Sequence, residues 1–323
     1  MVIFEWGSMA AEGQCFNRVD AKPRRAHCQA YRRPPYLRCG GGSVNQFGFG
    51  QGGDRGWLQR MNTLTARRSD RPRPRVPEGQ RVYAIGDVHG RLDLLLPLLA
   101  RIRDDIAARG DVDDHVVLLG DLVDRGAYSA ETIEYAASQL PSFATFHVLM
   151  GNHEEAMLRA LDPAEDRSEN LWVKFGGHET LASYGVPAAA LGEELPPVEL
   201  LRRYIPERHR RFLESLPDMV RFGDYALVHA GVRPGIALEE QSSDDLRWIR
   251  QQFLDHRGDL GACIIHGHSI SPEPDIQPNR IGIDSGAYRS GVLTALGLEG
   301  DRRWLIRAMI VEGEVQTKLS NMG

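Results

Sequence analysis

The stretch Arg81-Val82-Tyr83-Ala84-Ile85-Gly86-Asp87-Val88-His89-Gly90 decides the fold. Its first half is short, apolar and rich in β-branched and aromatic residues, and it stops at a glycine, which is how a buried strand reads. Its second half offers a carboxylate and an imidazole just beyond that strand's C-terminal end. The construction recurs along the chain. His115-Val116-Val117-Leu118-Leu119 runs into Gly120-Asp121-Leu122-Val123-Asp124-Arg125-Gly126, and Phe146-His147-Val148-Leu149-Met150 runs into Gly151-Asn152-His153-Glu154. Tyr225-Ala226-Leu227-Val228 precedes His229, and Cys263-Ile264-Ile265 precedes His266-Gly267-His268.

Between the early strands lie helical patterns. Leu92, Leu95, Leu96, Leu99, Ile102 and Ile106 share one face of a helix. Asp93 is its expected cap, with Pro97 near the first turn at the cost of one backbone bond. A second helix is expected over residues 130–140, stopped by Pro141. This alternation indicates α/β architecture. The runs at 281–284, 292–298 and 304–311 then follow one another as strands. Two mixed β-sheets flanked by helices, α+β in detail, are therefore expected rather than a simple doubly wound sheet. No internal repeat is present.

Open α/β sheets bind ligands at the C-terminal edge of their strands. Asp87, His89, Asp121, Asn152, His229 and His268 are thereby expected to converge. Carboxylate, imidazole and amide oxygen together suit Mn, Fe or Zn. A carboxylate can bridge two ions roughly 3.5–4 Å apart, which then clamp the attacking and leaving oxygens of a phosphate ester. Each block alone is weak, because Gly-Asp after a strand is often only a turn. The joint pattern is specific: the first three blocks are separated by 29 and 24 residues, each room for one helix and one strand.

These three blocks resemble the signature set of the phosphoprotein phosphatase family, within the calcineurin-like metallophosphoesterases. His229-Ala230-Gly231 and Gly267-His268 are similar to its later histidine blocks. Gly176-Gly177-His178-Glu179-Thr180-Leu181, Ser183-Tyr184-Gly185 and Asp284-Ser285-Gly286-Ala287 resemble its compact bacterial members. The resemblance spans about residues 81–312 and implies the calcineurin-like fold, with metals at one sheet edge. It implies that Asp87 and His89 hold a first metal, that Asp121 bridges, and that Asn152, His229 and His268 hold a second. Arg125 would bind the substrate phosphate, and His153, oriented by Asp124, would protonate the leaving oxygen. The implied cofactors are two divalent ions, Mn with Fe or Zn as alternatives. The implied activity is hydrolysis of phosphoserine or phosphothreonine, with dual specificity open, by a water that the ions activate. The substrate would be a phosphoprotein or phosphopeptide.

A second phosphate-binding arginine is expected in Leu246-Arg247-Trp248-Ile249-Arg250, with Arg250 preferred and Arg247 the fallback. His266 is read as packed behind the ligands. His178 fits either the substrate groove or a surface loop, and the other histidines are read as structural or exposed. Ile270 stands where phosphodiesterase relatives carry a metal-binding histidine, which argues against that branch. A symmetrical dinucleoside tetraphosphatase is the nearest rival; Glu154 and Asp124 favour the protein phosphatase. A catalytically inactive phosphoprotein-binding module is the rival of another class, disfavoured because every expected ligand is present.

The chain has 323 residues, 42% apolar and 26% charged, as expected for a protein that buries a core. No apolar run reaches the roughly 18 residues of a membrane-spanning helix. The opening residues do not read as a secretory signal, so the cytoplasm is the expected compartment. Residues 1–77 carry 14 Lys or Arg against 5 Asp or Glu, within a chain of net charge −5. Their Gly, Arg and Pro content reads as a disordered basic leader or linker, with Met61 a plausible alternative start, ahead of a catalytic domain at 78–323. A nucleic-acid partner for that leader is disfavoured, and no membrane partner is expected. Cys15, Cys28 and Cys39 form no CxxC pair, and Cys263 is expected to pack as a small hydrophobe.

Overall fold

A computed structural model describes residues 73–161, 172–188, 190 and 197–322. The chain divides into units Met1–Arg68 and Ser69–Gly323, and every described residue lies in the second. Residues 1–72 of the leader expected over 1–77 fall outside the described residues. Residues 73–77, also assigned to the leader by sequence, are seated on the domain. Val76 is buried and donates to the Gly300 carbonyl at 3.0 Å. Arg75 and Asp224 exchange hydrogen bonds, and Tyr225 reaches the Pro74 carbonyl at 3.0 Å.

The described strands are β1 Gln80–Ile85, β2 Asp113–Leu118, β3 Thr145–Val148, β4 Met219–Phe222, β5 Tyr225–Val228, β6 Cys263–His266, β7 Asp275–Ile276, β8 Arg280–Gly282, β9 Val292–Glu299, β10 Arg302–Val311 and β11 Glu314–Asn321. They form two mixed sheets, a six-stranded one ordered β11-β10-β9-β1-β2-β3 and a five-stranded one ordered β4-β5-β6-β8-β7. The neighbours β1, β2 and β3 are parallel, as are β5, β6 and β8. Antiparallel β9–β11 and β4 extend the edges. This is the calcineurin-like metallophosphoesterase fold that the motifs implied. Short β4, β7 and the exposed edge strand β11 carried no readable pattern.

Alternation along β1 explains the layering. Val82 and Ala84 pack between the sheets with Leu227, Ile265 and Ile281, whereas Tyr83 and Ile85 face the helices. Both faces of β1 are therefore buried, which is why Val82–Ile85 is apolar throughout. The second sheet covers its far side with Leu246, Phe253 and Leu260. Among the described residues no helix is long and apolar enough to cross a membrane.

Helix α1, Leu92–Arg109, keeps the expected face except at Leu96, with Leu92 and Ile106 partly buried against the core. Leu94, Leu95, Leu98, Leu99 and Ile102 are buried, and Leu96 is 42% exposed. Asp105 is buried on this helix as well, its carboxylate accepting from Tyr83 and Trp304 at 2.8 and 2.9 Å. Asp93 does not cap the helix; it pairs with Arg91, the residue before the first turn. Helix α2, Ser129–Ser138, ends two residues before the expected limit, and α3 runs Asn152–Leu161.

Candidate metal centre

The candidate side chains leave the C-terminal ends of parallel strands. Asp87 and His89 follow β1, and Asp121, Asp124 and Arg125 follow β2. Asn152 and His153 open α3 after β3, and His229 and His268 follow β5 and β6. Asp87, His89, Asp121, Asn152, His229 and His268 are each at most 6% exposed. Bringing them together strains the backbone. His89, Asp121, Asp124, Arg125 and His268 all take positive φ; among the described residues Glu312 is the only other non-glycine to do so. Such strain persists only where surrounding contacts enforce it. Two glycines permit the approach: a Cβ on Gly267 would lie 2.0 Å from Asp87 Oδ1, and one on Gly151 would lie 2.3 Å from Asp121 Oδ1.

Two groups of potential ligand atoms, each within 4.8 Å, share Asp121: His89–Asp121–His153 and Asp121–His229–His268. The hydrogen bonds fix the ring tautomers. His229 Nδ1 donates to the Leu119 carbonyl at 2.8 Å, and His89 Nδ1 donates to that of Val123 at 2.8 Å. In a neutral ring the remaining nitrogen is a lone pair. Burial keeps both rings neutral, lowering His229 and taking His89 down to about 3. The His229 lone pair then faces Asp121 Oδ1 at 3.4 Å and Asn152 Oδ1 at 2.9 Å. The His89 lone pair faces Asp121 Oδ2 at 3.5 Å. At His229 acceptors point at acceptors, an arrangement that a divalent cation turns from repulsion into coordination. The donor set therefore fits the implied ions.

Asp121 is the pivot. Burial opposes its charge, but His229, His153, His89 and His268 together hold the carboxylate well below its usual range. Asp87 lies at the same centre, held by its own contacts. Its oxygens accept the His268 N–H at 3.1 and 3.0 Å and bond to Asp284, and neither group of ligand atoms includes it. Burial, then the charges of Asp284 and Asp121, push Asp87 well above the carboxylate range. Burial likewise moves Asp284 up to about 6. Three buried carboxylates thus repel one another, and a cation offsets that repulsion too.

His153 Nδ1 meets Asp124 Oδ2 at 2.6 Å. Burial opposes a charged imidazole here, but Asp121 and Asp124 outweigh it and hold His153 above its ordinary value. Asp124 is fully buried, and Thr180 fixes it, donating to Oδ1 at 2.6 Å and accepting the Asp124 N–H at 2.9 Å. The Arg125 guanidinium spans the site, donating to His89 Nε2 at 2.9 Å and lying 2.9 Å from His153 Nε2. The Tyr288 ring stands 4.8 Å from that guanidinium and 5.3 Å from the His89 ring.

A cavity of about 310 Å³ opens over this centre, lined by Asp121, Arg125, Asn152, His153, His268, Arg250, Ile270 and Tyr288. Arg250 lies at the cavity. Arg247 does not; it is committed to Glu155 and Asp218. His178 is exposed and lies off the cavity. His266 is buried edge-on to Phe253, behind the ligands. Thr180 and Tyr288 carried no local signal of their roles. Nor did Glu154, whose carboxylate takes the N–H groups of Asp121, Gly151, Leu122 and Val123.

A family model described as calcineurin-like phosphoesterase matches residues 80–291. An asymmetrical bis(5'-nucleosyl)-tetraphosphatase of Halalkalibacterium halodurans is 27% identical over 234 residues, 66% of this chain and 87% of the relative. Serine/threonine-protein phosphatase 2 of Salmonella typhimurium is 28% identical over 222 residues, 66% of this chain and 90% of the relative. A symmetrical bis(5'-nucleosyl)-tetraphosphatase of Methylobacillus flagellatus is 27% identical over 270 residues, 68% of this chain and 92% of the relative.

Proposed function

The chain belongs to the calcineurin-like phosphoesterase family, and within it we propose a Mn-supported phosphomonoesterase that acts on phosphoserine and phosphothreonine in proteins. The observation that carries this reading is the His153–Asp124 pair at 2.6 Å, beside Arg125 and opening on the cavity. A serine or threonine alkoxide is a poor leaving group and needs a proton as its bond breaks, whereas a nucleoside diphosphate leaves readily without one. A histidine held by a buried aspartate is the group that supplies such a proton near neutral pH.

The remaining roles follow from chemistry. Asp87 and His89 would hold one ion and Asn152, His229 and His268 the other, with Asp121 between them. Bound ions would lower the pKa of a water and neutralise charge on the phosphate oxygens. Arg125 and Arg250, at different parts of the cavity wall, would grip the non-bridging phosphate oxygens; the planar guanidinium fits two at once. Thr180 keeps Asp124 facing His153, so the acid stays in one orientation.

The relatives named as tetraphosphatases define the competing outcome. The test compares phosphate released from a phosphoserine peptide with nucleotide released from diadenosine tetraphosphate, at equal enzyme and with Mn²⁺ present. Faster peptide turnover is expected. Preferential release of ADP, or of ATP with AMP, would replace this reading with a tetraphosphatase. No turnover of either substrate, or of p-nitrophenyl phosphate, would leave a phosphate-binding module.

A further inference from the structure

We propose that Glu155 is a positioning residue for the phosphate, setting Arg250 at the cavity by gripping Arg247 and Trp248; this rests on the phosphate role given to Arg250 above. Glu155 lies in the first turn of α3, two residues beyond His153, and is buried. Its Oε1 accepts from Arg247 Nη1 at 3.0 Å and from Arg159 Nη2 at 2.9 Å, and its Oε2 accepts the Trp248 indole N–H. Asp218 takes the other side of Arg247, at 2.6 Å from Nε. One buried carboxylate thus holds two consecutive side chains of the segment that leads to Arg250.

That segment needs such a grip. The helix Ser243–Trp248 is a single short turn and a half, and it breaks at Ile249, whose ψ of 143° is extended. Arg250 follows with φ −131° and ψ −105°, before the four-residue helix Gln251–Leu254. No regular element carries Arg250, and its exposed side chain goes where the backbone sends it. Ile249 and Phe253 anchor the segment to the second sheet, and the Leu246 carbonyl accepts the Ala230 N–H at 2.8 Å. Those contacts fix its depth. The Glu155 contacts link it to the helix that bears Asn152 and His153, so the acid and the second arginine share one frame. Trp248 adds a wall on that side: its ring lies 6.1 Å from Phe175, which lies 5.7 Å from His153.

A carboxylate is required because every group it meets is a donor. Glutamine keeps one oxygen for them; alanine leaves buried donors without an acceptor, and the segment shifts to find water. A shift there moves Arg250 and leaves the ligands in place.

The test is a double-mutant cycle on the full-length, Mn-loaded protein, reading KM for a phosphopeptide, competitive inhibition by inorganic phosphate, and kcat. Arg250→Ala is expected to raise KM and the phosphate inhibition constant about tenfold, the worth of one charge-assisted contact. Glu155→Ala is expected to raise the same constants about three- to tenfold, with Glu155→Gln in between and kcat changed far less. On the Arg250→Ala background, Glu155→Ala is expected to add less than about twofold, since it acts through the side chain already removed. Additive losses, or a fall in kcat at unchanged KM, would overturn the proposal by showing that Glu155 acts through His153 or through stability. If Glu155→Ala does not fold, Trp248→Phe, which removes the indole N–H and keeps an aromatic ring, runs through the same cycle. An Arg250→Ala protein with unaltered KM and phosphate inhibition would reject the phosphate role of Arg250, and Glu155's with it. A tenfold effect of Arg250→Ala with none from Glu155 or Trp248 variants would reject only the positioning role.

Discussion

Glu154→Gln conserves size and shape while changing which backbone groups can be satisfied. In the native site Oε1 accepts from Leu122 at 2.7 Å and Val123 at 3.1 Å, and Oε2 accepts from Asp121 at 2.8 Å and Gly151 at 3.0 Å. A glutamine oxygen can serve one of these pairs. Its NH₂ then faces the other pair, donor against donor, at a residue with no exposure to water. Two orphaned N–H groups at about 1–3 kcal/mol each give about 2–6 kcal/mol, and relief of the buried charge offsets part of this. A net loss of about 2–4 kcal/mol is expected, against a total stability of about 5–15 kcal/mol. At about 2–4 °C per kcal/mol, the melting temperature should fall by about 4–16 °C. The loop that relaxes contains Asp121 at φ 49°, so Mn²⁺ affinity should fall as well. The assay is thermal unfolding by circular dichroism, with EDTA and then with a Mn²⁺ titration. A Glu154→Gln protein that melted at the wild-type temperature and bound Mn²⁺ normally would refute the argument that this carboxylate clamps the loop.

Asp121→Asn is expected to abolish both metal-induced stabilisation and turnover. At 100 times the dissociation constant a bound ion stabilises by about 2.7 kcal/mol, so the lost shift is readily measured by scanning calorimetry. His153→Asn should retain both ions by elemental analysis and slow phosphoserine turnover by about 10²–10⁴, with a smaller loss on p-nitrophenyl phosphate. Equal losses on the two substrates would exclude the acid role, and loss of one ion would make His153 a ligand instead. Gly267→Ala should lose Mn²⁺-dependent activity, since its Cβ would sit 2.0 Å from Asp87 Oδ1; normal activity in that variant would show that the Asp87 loop can move aside.

The sequence alone determined the local grammar: strand, glycine, ligand, repeated. Those signals are short-range. Burial of both faces writes an apolar run into β1 and β2, and a turn with positive φ follows each. The helix face of α1 was legible but for Leu96, whereas the burial of Asp105 was not, because its partner Trp304 lies 199 residues away. The same holds within the site. That Glu154 clamps a loop 31–33 residues away, that Thr180 braces Asp124 across 56 residues, and that Glu155 reaches Trp248 across 93 are facts of packing. Chain composition selects which side chains are available near each strand end. Only the stacking of two sheets chooses which of them meet, because a contact between distant residues leaves no period in either one's neighbourhood.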